Sequence, residues 1–177
     1  MKYKVILFLG VILFLSSCQK QEARRPKKQG TTNFYKEVLA KNKKLNALEK
    51  RSLEKLIQQD TLNHYNASKS GFWYTYITKD TLNSITPKAE DLVLLSYTVA
   101  DVYGNEIYPK EERSYKIDKE DFIPGLQDGI KLMKKGETVT FVIPSYRAFG
   151  VVGDGKKITV SQPIKSTVTL IDIKSNK

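Results

Sequence analysis

The chain carries one cysteine and one histidine, Cys18 and His64. Metal centres need several ligands at set spacings, and nucleophilic catalysis needs a Ser or Cys with a base in reach. His64 lies in the turn-like stretch TLNHYNASKSG with no cysteine near it, so it reads as a surface or packing residue. The sequence shows no P-loop and no nucleophile-base set. Cys18 suggests a different chemistry. It closes LSSC behind a positive n-region, Lys2 and Lys4, and an apolar run from Val5 to Leu15. Small residues before a cysteine at the end of such a run suit signal cleavage and thioether lipidation of the freed thiol. A lone thiol in an oxidising compartment is a liability unless it is consumed, and lipidation consumes it.

The elements that position Cys18 agree with export. An apolar run this short cannot span a bilayer as a helix, which needs about 20 apolar residues, so residues 1–17 read as a signal peptide whose LSSC resembles a lipobox. The mature chain then starts at Cys18 as a membrane-anchored lipoprotein, the alternative being a plain secreted protein with Cys at this place. Gln19 rather than Asp after Cys18 is similar to lipoproteins sent on to the outer membrane. Residues 18–33 hold no apolar residue beyond Cys18 and Ala23, and Pro26 and Gly30 discourage helix, so this stretch is a tether. Its Arg24, Arg25, Lys27 and Lys28 suit anionic headgroups, at about 1 kcal/mol per charge, and suit a solvated linker equally well. The formal charge of +11 raises a nucleic-acid partner. Its distribution argues against one: 12 basic and 5 acidic residues fall between Gln19 and Asp60, and the longer remainder is only mildly basic.

Residues 34–69 form a helical segment. Leu45, Leu48, Leu53, Leu56 and Ile57 fall mostly on one face up to about Gln59, with lysines opposite and interruptions at Asn42 and Asn46, giving one or two amphipathic helices. Such a helix is marginal alone and needs the following domain or a second copy to pack on, so dimerisation is one possibility. From residue 70 to 177 the pattern is β-rich. FWYTYIT and LVLLSYTVAD read as strands, the second ended by the turn YGNE, IYPKEERSYKID as shorter extended pieces, and TVTFVIP and STVTLIDI as further strands. Between them Pro124 opens a short helix with Leu126, Ile130 and Met133 on one face, and Gly136 stops it. The 40% hydrophobic content is enough for a core. This order predicts an α+β fold, a curved antiparallel sheet wrapping one short helix.

SGFWYTYI, LVLLSYTVADVYGNEIY, FIPGLQDGIKLMKKGETVTFVIPSYRAFG and STVTLIDIK together resemble the FKBP-type peptidyl-prolyl cis-trans isomerases over roughly residues 70 to 174. The spacing of IPGLQDGIKLMKKGE before IPSYRAFG is the specific part. With the lipobox and lysine-rich segment in front, the whole chain is similar to the gliding-motility-associated FKBP-type lipoproteins of Bacteroidetes. The chemistry implied needs no nucleophile, proton donor, metal or cofactor. An Xaa-Pro amide isomerises slowly because twisting it costs resonance, against a barrier of about 20 kcal/mol. An apolar pocket that strips water from the amide, with a few orienting hydrogen bonds, favours the twisted geometry.

The resemblance assigns that pocket residue by residue. Tyr97 matches a pocket tyrosine, Tyr108 stands where the family has Phe before Asp, and Tyr115 matches an aromatic of the next strand. Phe122 and Ile123 enter the helix, with the Ile123 N–H placed to bind a peptide carbonyl. Leu126 stands where a Trp floors the pocket, Phe149 matches the tyrosine of AYG, and Ile158 the aliphatic lip. For Phe122, Leu132 and Phe141 a core role is the stronger reading of the residues themselves. The departures are Pro109 in place of the Asp, which removes a polar partner for the tyrosine cluster, Leu126, Phe149, and a last strand without its aromatic. They point to a weakened pocket.

Two functions follow: an anchored isomerase acting on Xaa-Pro segments of exported envelope proteins, or a non-catalytic binding module using the same pocket. Lipidation has its own test. Metabolic labelling with a fatty acid tags the full chain and leaves Cys18→Ala unlabelled and released from the membrane; a labelled, membrane-bound Cys18→Ala would refute it.

Overall fold

Lysine, leucine, glutamate and alanine dominate the stretch before the β-rich region, and they wind one helix, α1, over Thr31–Gln59. The computed structural model describes residues 31–80 and 85–175. The expected signal peptide, Cys18 and most of the expected tether lie outside the described residues. Asn42 and Asn46 do not interrupt α1, contrary to the sequence expectation: each costs only about 0.7 kcal/mol or less against alanine in a helix interior, and the run of strong formers outweighs them. The chain divides into two compact units, Met1–Leu39 and Ala40–Lys177. In the first, Phe34, Tyr35 and Leu39 on α1 are exposed.

In the second unit, the apolar stripe read from the sequence is only partly used. Leu53 is 3% exposed, whereas Leu45 and Leu48 remain 51% and 49% exposed. Leu53 packs with Trp73 and Val142, flanked by Ile57 and Tyr65. Burying one leucine is worth about 1.5–3 kcal/mol, against a few tenths for the exposed Lys50–Glu54 pair, so this cluster is what fastens the helix. One turn before Leu53, the Glu49 carboxylate accepts the Ser145 N–H and hydroxyl at 2.6 and 2.7 Å. Hydrogen bonds to a charged group are worth about 1.5–3 kcal/mol each, comparable to the leucine.

The strands are β1 (Asn66–Ala67), β2 (Trp73–Thr78), β3 (Leu92–Ala100), β4 (Glu106–Lys116), β5 (Thr138–Ile143) and β6 (Ile164–Lys174), with the short helix α2 at Pro124–Ile130. They form one antiparallel sheet in the order β1-β2-β5-β6-β3-β4. This is the predicted α+β architecture. IYPKEERSYKID, however, is one strand rather than several pieces. Its Pro109 and charges hide the pattern, and β4 tolerates the proline because it is an edge.

The core lies where α2 presses on the sheet. Leu126, Ile130 and Met133 meet Leu95 of β3, Phe141 and Ile143 of β5, and Val168 and Leu170 of β6. Leu132 falls on the other side of that turn and is 42% exposed, so it is not the core residue expected, whereas Phe141 is. His64 is exposed, and among the described residues no group of three Cys, His, Asp or Glu could hold a metal. Among the same residues no helix is long and apolar enough to cross a membrane.

Glycine permits the contact between α2 and β5. A Cβ on Gly129 would stand 2.6 Å from a ring carbon of the buried Phe141, and one on Gly125 2.6 Å from Ile143. Alanine favours a helix over glycine by about 1 kcal/mol, but overpacking a core costs about 1–3 kcal/mol. Gly129→Ala therefore destabilises, by up to about 2 kcal/mol once the helix gain is subtracted, read as a lower urea midpoint with an unchanged slope.

Candidate functional site

A cavity of about 550 Å³ opens where β3 and β4 face the entry to α2 and the segment after β5. Tyr97, Val99, Ile123, Ala148, Phe122 and Phe149 supply its apolar surface. Each is placed by a local rule. Tyr97 and Val99 alternate inward on β3. Phe122 and Ile123 precede Pro124, which sets the first turn of α2. Ala148 and Phe149 leave the 3₁₀ turn Ser145–Arg147.

A polar rim surrounds these walls. Tyr97 lies opposite Glu111 across the β3–β4 ladder and donates its hydroxyl hydrogen bond to that carboxylate. Arg113, two residues on and hence on the same face, stacks 4.8 Å over Phe122 and donates to the Asp121 carbonyl at 2.9 Å. Phe122 stands edge-on to Tyr97 with ring centroids 5.1 Å apart. Burial, then the hydrogen bond to Glu111, push the Tyr97 hydroxyl up to about 12, against the opposing charge of Arg113.

The far wall is latched by Tyr108, whose hydroxyl donates to Asp154. Burial alone would raise the Asp154 carboxyl. The hydrogen bonds from Tyr108 and from the Lys156 and Ile158 amides, at 2.8 and 2.9 Å, hold it below its ordinary value. Lys157 lies 5.1 Å over the Tyr108 ring and donates to the Ile107 carbonyl at 3.1 Å. The loop turns at Gly153, where φ is +74° and a Cβ would meet the Ile158 carbonyl at 2.3 Å, so only glycine fits.

Tyr97, Tyr108, Phe122, Ile123 and Phe149 thus line one cavity. Tyr115, Leu126 and Ile158 do not line it and are buried beneath. Tyr115 supports Phe122 from below, with centroids 5.3 Å apart. The Ile123 carbonyl is taken by the Leu126 and Gln127 amides, while its N–H has no acceptor among the described residues. One expectation is overturned. Pro109 does not cost Tyr97 its polar partner, because Glu111 takes that place. Glu111, Arg113, Asp121, Asp154 and Lys156 are lining residues that sequence reasoning missed. Reading β4 as one strand would have found two of them, since 111, 113 and 115 share a face.

Matching to family models gives "FKBP-type peptidyl-prolyl cis-trans isomerase" over residues 83–171, half of the chain. The chain belongs to this family. Among solved structures it is similar to a peptidyl-prolyl cis-trans isomerase from Pseudomonas syringae pv. tomato, with a TM-score of 0.60 and 20% identity over 73% of this chain and 96% of that one. It is also similar to FkpA from Escherichia coli, with a TM-score of 0.60 and 24% identity over 97% of this chain and 82% of that one. At these identities the likeness bears on the fold. The described residues lining the FKBP-type cavity include no Ser, Thr, Cys or His, which suits a reaction that breaks no covalent bond.

The phenols of this isomerase set a pH dependence. Tyr97 and Tyr65 are both raised from 10.0 to about 12, Tyr65 by burial and its hydrogen bond to Asp60. Their protonated forms are favoured by folding, so the stability they contribute is complete below the unfolded value of 10.0 and lost as pH rises toward 12. Urea melts decline across that window, and Tyr97→Phe shows a shallower decline; an identical slope in the variant would contradict this assignment.

Proposed function

We propose that this FKBP-type isomerase acts on Xaa-Pro bonds of exported proteins while tethered to the cell envelope through lipid on Cys18. The observation that carries the catalytic part is the juxtaposition of the apolar Tyr97, Phe122 and Phe149 walls with the unclaimed Ile123 N–H. A proline ring seated on Val99, Ile123 and Phe149 brings its amide out of water. The planar amide is more polar than the twisted one, so desolvation raises the ground state relative to the transition state. The Ile123 N–H donates to a peptide carbonyl and fixes the register. Tyr97, held by Glu111, forms an immobile wall.

Tethering rests on the signal-like residues 1–17 and LSSC, and an envelope location on the same features. Service to a motility or secretion apparatus rests on the likeness of the whole chain to gliding-motility lipoproteins. The basic stretch after Cys18 is suited to lie along anionic headgroups.

A protease-coupled assay with Xaa-Pro peptides on the full chain in detergent tests the catalytic part. Wild type accelerates isomerisation, and Tyr97→Ala loses most of it with its circular dichroism unchanged. Phe149→Tyr restores one phenolic donor, worth about 0.5–1.5 kcal/mol, and raises kcat/KM about two- to tenfold. Peptide binding without any turnover by wild type would replace the enzyme with a binding module.

A further inference from the structure

The turn from Pro144 to Gly150 carries Ala148 and Phe149 into the cavity wall, and it is gripped from two sides. On one side Arg147 pairs with Asp128 of α2. On the other stands Glu49 of α1, which does not line the cavity. Its Oε1 accepts the Ser145 N–H at 2.6 Å and its Oε2 accepts the Ser145 hydroxyl at 2.7 Å. Ser145 is buried and opens the 3₁₀ turn, so its N–H has no partner within that turn and needs an acceptor from elsewhere. The Ser145 carbonyl in turn accepts the Ala148 and Gly150 amides at 2.9 and 2.8 Å. Phe149 stands between those two amides. Fixing the peptide at Ser145 therefore fixes the residue that walls the pocket.

Glu49 is itself well placed to act as a fixed point. Leu53, one turn later on the same face, is anchored against Trp73 and Val142. Asn42, Leu45, Asn46 and Glu49 line a groove against Ser145, Tyr146 and Gly150, so the helix follows this turn along its length. We propose that Glu49 is a positioning residue for the isomerase pocket: through its two-pronged hold on Ser145, α1 sets the place of the Phe149 wall and thereby the activity. The proposal rests on the isomerase reading of the cavity.

Three variants of the full chain test it, each assayed for isomerisation, for Xaa-Pro peptide affinity, for melting temperature and for hydrogen exchange of the peptide covering residues 144–150. Glu49→Leu keeps the volume and removes both acceptors. It speeds exchange across 144–150 and lowers kcat/KM about three- to tenfold at temperatures where the chain is folded. Glu49→Gln can accept from the N–H and donate to the hydroxyl oxygen, and retains most of both properties. Ile57→Ala loosens the same helix two turns away, and its loss of melting temperature brings no matching loss of kcat/KM. Unchanged exchange over 144–150 in Glu49→Leu overturns the proposal, as does a loss of kcat/KM no greater than that of Ile57→Ala. Absence of turnover in wild type would instead defeat the isomerase reading. Exchange and peptide affinity would then still decide whether Glu49 holds the pocket wall.

Discussion

The close approach of α2 to β5 governs the rest of the molecule. Gly125 and Gly129 present bare backbone to Ile143 and Phe141, and no other residue type leaves room for that distance. From it follows the height at which Phe122 and Ile123 enter the cavity, since they lead directly into α2. The salt bridge from Asp128 to Arg147 carries the same placement across to the turn bearing Phe149. A helix of only seven residues could not hold its shape in isolation. It holds because the sheet dictates it, and the cavity takes its dimensions from that contact.

Around this apolar frame the polar groups act as braces. Glu111 fixes Tyr97, Asp154 fixes Tyr108, and Arg113 clamps Phe122 from outside. Their common effect is to make aromatic walls rigid while spending each hydroxyl on an internal partner. For a reaction that only rotates a bond, rigid walls are the relevant chemistry: a pocket that relaxed around the planar amide would forfeit its preference for the twisted one. Phe149 adds an apolar wall with no hydroxyl to satisfy.

Much of this was legible in the sequence, and the gaps have two causes. Pro124 with Leu126 and Ile130 specified α2, although the helix ends at Ile130, short of the expected Met133 and the stop at Gly136, and aromatic and β-branched runs specified most strands. Tyr97, Tyr108, Phe122, Ile123 and Phe149, assigned through the family resemblance, all line the cavity. What failed depended on pairing. Pro109 and the charges from Lys110 to Arg113 look unlike a strand, because an edge position excuses features an interior strand could not bear. Without the β3–β4 register nothing places Glu111 opposite Tyr97. Asn42 and Asn46 misled for the opposite reason: local preference was weighed without the length of helix around it.

The two borders of the sheet bear on which chains it can hold. At one end β1 is only two residues long, and at the other β4 carries Pro109 and a run of charged residues from Lys110 to Arg113. Neither border offers the long, uncharged ladder on which an extended foreign segment would zip as an extra strand. Unfolded chains are rich in such segments, and a sheet open to them would capture clients by backbone alone and release them slowly. With its borders blunted in this way, the sheet offers a prolyl segment its cavity and not its edges.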